Sequence, residues 1–250
     1  MKTEVEEKFS HFFEKWVRQL EEILQVLLKV SKDHGNSHEA ENEALVAKLT
    51  THHKDYYTAK WAAAHEDVLA FFSPVWLSPL ENAYLWITGW KPSMAFRLIE
   101  SRRQTGLPGA SLADMTEEQL KRIEALRVNI RVEEEKVERE LERQQVSMAD
   151  RRMVELARAS SRAQRNGDAA VSQVDGLVEV ALKSLLGGLE RVMKLADCVR
   201  LKTLKGVLEV LNPKQCVDFL TSTSMLQIQM RKWGEKRDQS RHLECPSLFN

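Results

Sequence analysis

Four clusters in this 250-residue chain hold side chains capable of chemistry. The first is "THHKDYYTAKWAAAHED", residues 51–67. His52 and Tyr56 are four apart, as are His53 and Tyr57, so each pair shares a helix face. A metal site needs several His, Cys or carboxylate ligands converging on one point. No HExxH is present, no second histidine stands one turn along, and His65, Glu66 and Asp67 are adjacent rather than stacked. The spacing favours histidines hydrogen-bonded in the core or at its rim over metal ligands.

The second cluster is the tail "RHLECPSLFN", where Cys245-Pro246 follows His242 by three residues. A cysteine thiolate can serve as an axial haem ligand, so Cys245 and His242 are the candidate haem residues. No cofactor is otherwise expected. The third is an arginine stripe: Arg151, Arg158, Arg162 and Arg165, spaced seven, four and three, fall on one helical face. Such a stripe can meet phosphates or an acidic partner. It can equally pair with the acidic run beside it, residues 133–142, which holds six acids and two bases and reads as a solvated helix face. The fourth is "MLQIQMRKWGEKR", where Met225, Ile228, Met230 and Trp233 alternate with Arg231 and Lys232. That texture fits a calmodulin-type target helix, and equally a last core helix with a basic end.

A further stretch, "PVWLSPLENAYLWITGWKPS" at 74–93, concentrates three of the six tryptophans and three of the six prolines. It carries no nucleophile–base pair, and Gly89 stands alone, so no phosphate-cradling loop can form. Core packing at a corner between short helices is the ordinary reading, with Trp86 and Trp90 buried against the first two helices. A pocket for a ligand or a partner side chain is the alternative.

The elements that position these residues read as helices. Glycine and proline are scarce, at ten and six, and apolar residues make up 43%. Long stretches of helical period between them predict an all-α single domain of long antiparallel helices with short corner helices. The first helix spans about 4–31, with Phe9, Phe13, Trp16, Leu20, Ile23 and Leu27 on its apolar stripe. The second covers 39–72. Ser78-Pro79-Leu80-Glu81 is a capping box that opens a helix ending near Gly89. Pro92 starts another, to about 103. Thr116 and Gln119 cap a long helix that turns acidic and then basic. "RNGD" at 165–168 breaks the second half, and Asn212-Pro213 splits the last two helices.

With 37 basic and 37 acidic side chains, the overall charge drives the chain neither to nucleic acid nor to an anionic membrane. Three cysteines without CxxC spacing suit a reducing compartment. The N-terminus lacks an apolar signal region, and no apolar run is long enough to span a bilayer.

Five segments together resemble one plant family: "FFEKWVRQLEEIL", "HKDYYTAKWAAAHEDV", "WLSPLENAYLWITGWKPSMAFRLI", "MTEEQLKRIEAL" and "ADCVRLKTLKGVLEVLNPKQCVDFL". They are similar, in the same order, to the delay-of-germination domain, which also forms the C-terminal part of TGA-type bZIP transcription factors. The resemblance covers about residues 9–234, leaving 235–250 as an expected flexible tail. Its signature falls on Trp76, Glu81, Trp86, Ile87, Gly89, Trp90, Pro92 and Ser93.

The resemblance implies an all-helical, non-enzymatic regulator of the seed dormancy and maturation type. It implies a link to transcription and residence in nucleus, cytoplasm or both. Partners are expected to be regulatory proteins, with a second copy of the chain as a candidate and no membrane. The similarity starts almost at Met1, and residues 1–8 are net acidic. The DNA-reading helix of a bZIP protein is not among these residues. The expectation is therefore a stand-alone dormancy-type member, with any DNA contact indirect. Direct sequence-specific DNA binding and a haem or apolar-ligand sensor are the alternatives.

Overall fold

The computed structural model describes residues 2–32, 39–104, 111–166 and 168–244; at 31–32, 111, 165–173 and 241–244 it describes the backbone alone. Among the described residues the chain is all-α, without strands. The long helices are α1 (Glu4–Lys32) and α2 (Glu39–Glu66), then, past three short helices, α6 (Glu117–Val146), α7 (Arg151–Asn166), α8 (Asp168–Val210) and α9 (Pro213–Glu244). The short ones are α3 (Leu69–Phe72), α4 (Pro79–Ala83) and α5 (Ser93–Gln104). Two short 3-10 turns lie at Ser111–Asp114 and Ser147–Ala149.

Helix ends follow from local side-chain chemistry. Thr3 accepts from the N–H of Glu6, whose carboxylate accepts from the Thr3 N–H, a reciprocal cap opening α1. Ser78 with Glu81 opens α4, Thr116 with Gln119 opens α6, and Asn212 with Gln215 opens α9 in the same way. The expected second helix to residue 72 is corrected: α2 stops at Glu66. Asp67 then turns its carboxylate onto the N–H groups of Leu69 and Ala70, restarting the chain as α3. The long helix from Glu117 also stops, at Val146. Extended backbone at Asp150 (ψ 151°) separates it from α7. α9 runs to Glu244, ten residues past the boundary expected at 234.

Two layers share the core. α1, α2 and α9 pack on one another, and α8 packs on α6 and α7. The stripe of α1 is fully used: Phe9, Phe13, Trp16, Leu20, Ile23 and Leu27 are all buried. Phe9, Phe71 and Trp76 meet at ring separations of 4.7–5.2 Å. Trp16 lies 4.6 Å from the His52 ring in a parallel stack, and each holds the other's backbone carbonyl.

α6 and α8 run antiparallel. Gln119 reaches the Val210 carbonyl at one end, and Gly188 lies against Gln144 at the other. At 1.5 Å per residue the 30 residues of α6 span about 45 Å and the 43 of α8 about 65 Å. The first twenty or so residues of α8 therefore outrun α6 and pack on α7.

Candidate functional site

The tryptophan–proline stretch folds as a corner. α4 ends at Ala83 rather than near Gly89. The chain then closes a tight turn in which Trp86 N–H donates to Gly89 O at 2.7 Å and Gly89 N–H returns to Trp86 O at 3.3 Å. Its two central residues, Ile87 (φ 42°) and Thr88 (φ 60°), occupy the left-handed region. Hairpin turns of this hand normally use Asn and Gly. Two β-branched residues there store strain that the surroundings must offset.

The offset comes from three fully buried charged side chains on two other helices. Arg200 of α8 donates Nε to Trp90 O at 2.7 Å and Nη2 to Ile87 O at 2.7 Å and to Trp86 O. Its Nη1 meets Asp197 Oδ1 at 2.6 Å. Lys60 of α2 donates to Thr88 O, to Thr88 Oγ1 at 2.9 Å, and to Asp197 Oδ1 at 2.8 Å. Trp61 Nε1 donates to the other Asp197 oxygen at 2.9 Å. Lys60, Asp197 and Arg200 are 1%, 0% and 1% exposed. Two cations thus share one carboxylate, and the turn's carbonyl dipoles complete the balance. Burial pulls the Lys60 ammonium below its ordinary range, opposed by Asp197.

Gly89 is required by proximity. A Cβ there would lie 2.8 Å from Arg200 Cζ. Its role is this close approach, not the helix stop expected from the sequence.

The acidic run of α6 braces the same corner. Glu134 is buried and accepts the Ser93 N–H at 2.6 Å, capping α5 just after Pro92. Glu138 accepts from Trp86 Nε1 at 2.7 Å and from Lys91 at 2.9 Å. Burial works to raise the Glu138 carboxyl, but these two hydrogen bonds prevail and hold it below the usual range. The reading of residues 133–142 as a solvated face holds for Glu135, Lys136, Arg139 and Glu142 and is corrected for Glu134 and Glu138. Trp86 and Trp90 are only half-buried rather than sealed against α1 and α2: Trp86 faces Glu138 of α6 and Arg200 of α8, and Trp90 donates its Nε1 hydrogen to the Tyr57 hydroxyl of α2. Trp76 is the buried tryptophan of the stretch. Its carbonyl accepts from Arg231, which also lies 3.8 Å from Glu81.

The other sequence-singled residues are not gathered at one point. His52 is pushed down to about 4, first by burial and then by His53. His53 hydrogen-bonds the Leu49 carbonyl. Among the described residues no three His, Cys, Asp or Glu side chains converge to hold a metal. Arg151, Arg158 and Arg162 are exposed on α7, Arg151 pairing with Glu155; the side chain of Arg165 lies outside the described residues. Of the calmodulin-type segment, Ile228 is core, Arg231 is engaged as above, and Lys232 pairs with Glu21. Met230 is half-buried, while Met225 and Trp233 face outward. Ile228 and Arg231 are thus committed within the fold, as a last core helix requires. Cys245 and the side chain of His242 lie outside the described residues.

Lys60, Asp197 and Arg200 belong to no motif visible in the sequence. Their signal was charge on an apolar stripe: Lys60 continues Leu49, His52 and Tyr56, and Asp197 with Arg200 interrupts Met193, Ala196 and Val207.

A family model described as "Seed dormancy control" (DOG1) matches residues 19–101. Over 242 residues the chain is 50% identical to Protein DOG1-like 4 of Arabidopsis thaliana, covering 97% of this chain and 98% of that protein. It is 32% identical to the Arabidopsis Protein RESPONSE TO ABA AND SALT 1, covering 96% and 98% of the two. It is 25% identical to Transcription factor TGA2.3 of Oryza sativa, covering 90% of this chain and 61% of that protein. The Trp86–Trp90 turn and the buried charges that clamp it are thus features of a chain that belongs to the DOG1-like family.

Proposed function

We propose that this chain is a non-enzymatic regulator of the seed dormancy and maturation type. It acts by binding other proteins, in the nucleus, the cytoplasm or both, and connects to transcription through those partners. The observation that carries the reading is the near full-length similarity to Protein DOG1-like 4. The corner is consistent with it: its polar groups are spent on holding a turn. Away from the corner, on α9, burial pushes the Cys216 thiol up to about 11, away from nucleophilic use. No described helix is long and apolar enough to cross a membrane. Affinity capture from maturing seeds with the purified chain tests the reading. Recovery of a reproducible set of regulatory proteins is expected. A turnover activity destroyed by a point change in a polar pocket would overturn it.

Direct DNA binding is the second reading, favoured by the similarity to a TGA factor and by the exposed arginines of α7. Phosphate-driven binding falls steeply with salt. Absence of DNA binding by the pure protein at low salt removes this reading. The proposal requires no cofactor; a Soret band on haem titration, lost in Cys245→Ala or His242→Ala, would add one.

A further inference from the structure

α7 is strongly cationic and barely buried. Its 16 residues carry five arginines and one glutamate. Among its described side chains Ala163 alone is buried, at 5% exposure, while Met153, Leu156, Ala159 and Ser160 are half-buried on the same side. The opposite side holds Arg151, Arg158 and Arg162, all exposed, and Arg158 and Arg162 repel each other across one turn. Ser161 is exposed on the flank of that side, one turn after Arg158.

That serine sits in the run Arg158-Ala159-Ser160-Ser161-Arg162. An arginine three residues before a hydroxyl is what the acidic substrate cleft of a basophilic protein kinase reads, by charge. The spacing recurs at Thr105, Thr203 and Ser240, so alone it selects nothing. The fold separates the four. Thr203 is 0% exposed, and its arginine, Arg200, is engaged with the Trp86–Trp90 turn. Thr105 lies outside the described residues. Ser240 is exposed, but Asp238 stands two residues before it and Glu244 one turn after, where both oppose an acidic cleft. The charged residues nearest Ser161 in sequence are all basic: Arg158, Arg162 and Arg165.

A kinase takes its substrate as an extended segment, so the helix must open at the serine. Unwinding α7 from Arg158 to its end at Asn166 uncovers one buried side chain among those described, Ala163. A helix this short is marginal in water on its own, so such an opening is a low-cost local event. The same extension at Thr203 would pull apart the core around α8.

We propose that Ser161 is a phosphorylation site for a basophilic serine kinase, and that its phosphate neutralises the arginine side of α7. The Ser161 Oγ attacks the γ-phosphorus of Mg-ATP. The Oγ–P bond forms, and the bond from that phosphorus to the β–γ bridging oxygen breaks, its electron pair leaving with ADP. The hydroxyl proton passes to the catalytic carboxylate of the kinase. The new group carries about −1.5 to −2 charges at pH 7. On the re-formed helix it stands one turn from Arg158 and, by sequence register, one turn from Arg165, a spacing at which phosphate and guanidinium pair. The arginines are thereby withdrawn from any other anion. The site stands whichever proteins the chain binds.

The test incubates the purified full chain with Mg-ATP and a kinase selected on R-x-x-S peptides, maps the phosphate by mass spectrometry, and measures heparin affinity before and after. A synthetic peptide of residues 151–166 reports whether the motif is read at all. Phosphate on Ser161 of the folded chain is expected, with none on Thr203, whose modification would report unfolded chain. Arg158→Ala should slow transfer to Ser161 by about tenfold or more, and Ser160→Ala should leave it unchanged. The phosphorylated chain should bind heparin about tenfold more weakly at low salt, a loss absent when Ser161→Ala is treated in the same way. The proposal is overturned if neither peptide nor chain takes phosphate at Ser161, if the peptide alone does, or if the phosphate goes to Ser240 instead. It is equally overturned if Thr203 is modified as fast as Ser161, if Arg158→Ala changes nothing, or if stoichiometric phosphate leaves heparin affinity unaltered.

Discussion

The two halves of α8 reverse the usual distribution of polarity. From Val192 to Val207 one face of the helix is buried in the core, yet that face holds Asp197, Arg200 and Thr203 at 0–1% exposure. From Leu177 to Leu186 the side of the helix turned away from α7 is open to solvent, yet it displays Leu177, Val180, Leu182 and Leu186. Burial here follows partnership rather than hydropathy. The charged groups are inside because each has a counter-charge and carbonyls to bond. The aliphatics are outside because α6 ends before it can cover them.

The comparison breaks most visibly at Asp197. Asp197→Ala leaves Lys60 and Arg200 buried without their carboxylate and should cost about 3–5 kcal/mol, read as a lower urea midpoint. An unchanged midpoint would mean the buried half is held by its apolar contacts alone.

A titration extends the comparison to a polar side chain buried without charge. His52 has a folded value of about 4 against about 6.5 unfolded, so the unfolded chain takes the proton more readily. The resulting stability is complete above pH 6.5 and declines as pH falls toward 4, at up to about 1.4 kcal/mol per pH unit. The difference in unfolding free energy between wild type and His52→Gln should follow that slope. A constant difference across the range would show His52 titrating as if exposed.

Gly89→Ala drives a methyl group into a guanidinium already fixed by its hydrogen bonds, and about 1–3 kcal/mol should be lost. A thermal melt within error of wild type would show that the turn yields freely. Ser78→Ala removes one side of a reciprocal cap and should cost about 1 kcal/mol, with an unshifted melt counting against it. Leu177→Ser, on the exposed half, should change stability by less than about 0.5 kcal/mol. A larger loss would place that residue in the core and cancel the contrast.

What could be read from the sequence was local. The caps at Ser78, Thr116 and Asn212 lie three residues from their partners, so residue type and spacing suffice. The α1 stripe is equally self-contained. The break at Asp67 was missed because no proline or glycine marks it, only a carboxylate that serves α3 instead of extending α2. Trp86 and Trp90 drew attention by type, but their burial depends on Glu138 and Tyr57, distant in sequence. Lys60 and Arg200 gain meaning only through Asp197 and a turn more than a hundred residues from Arg200. Glu134 was lost inside a run of acids, since nothing in the run distinguishes the one that caps α5.

The span of those bonds sets an order of events during synthesis. Arg200 follows Trp90 by 110 residues, and Asp197 follows Lys60 by 137. At ribosomal rates the turn therefore leaves the peptidyl-transferase centre on the order of 5–20 s before its clamp is made. Through that interval Ile87 and Thr88 have nothing to hold them left-handed, and Lys60 has no reason to leave water. The corner nearest the N-terminus is thus completed from the C-terminal side. A chain ended at residue 190 should melt without cooperativity although α1 to α5 are all present, and a sharp transition in that fragment would contradict this order.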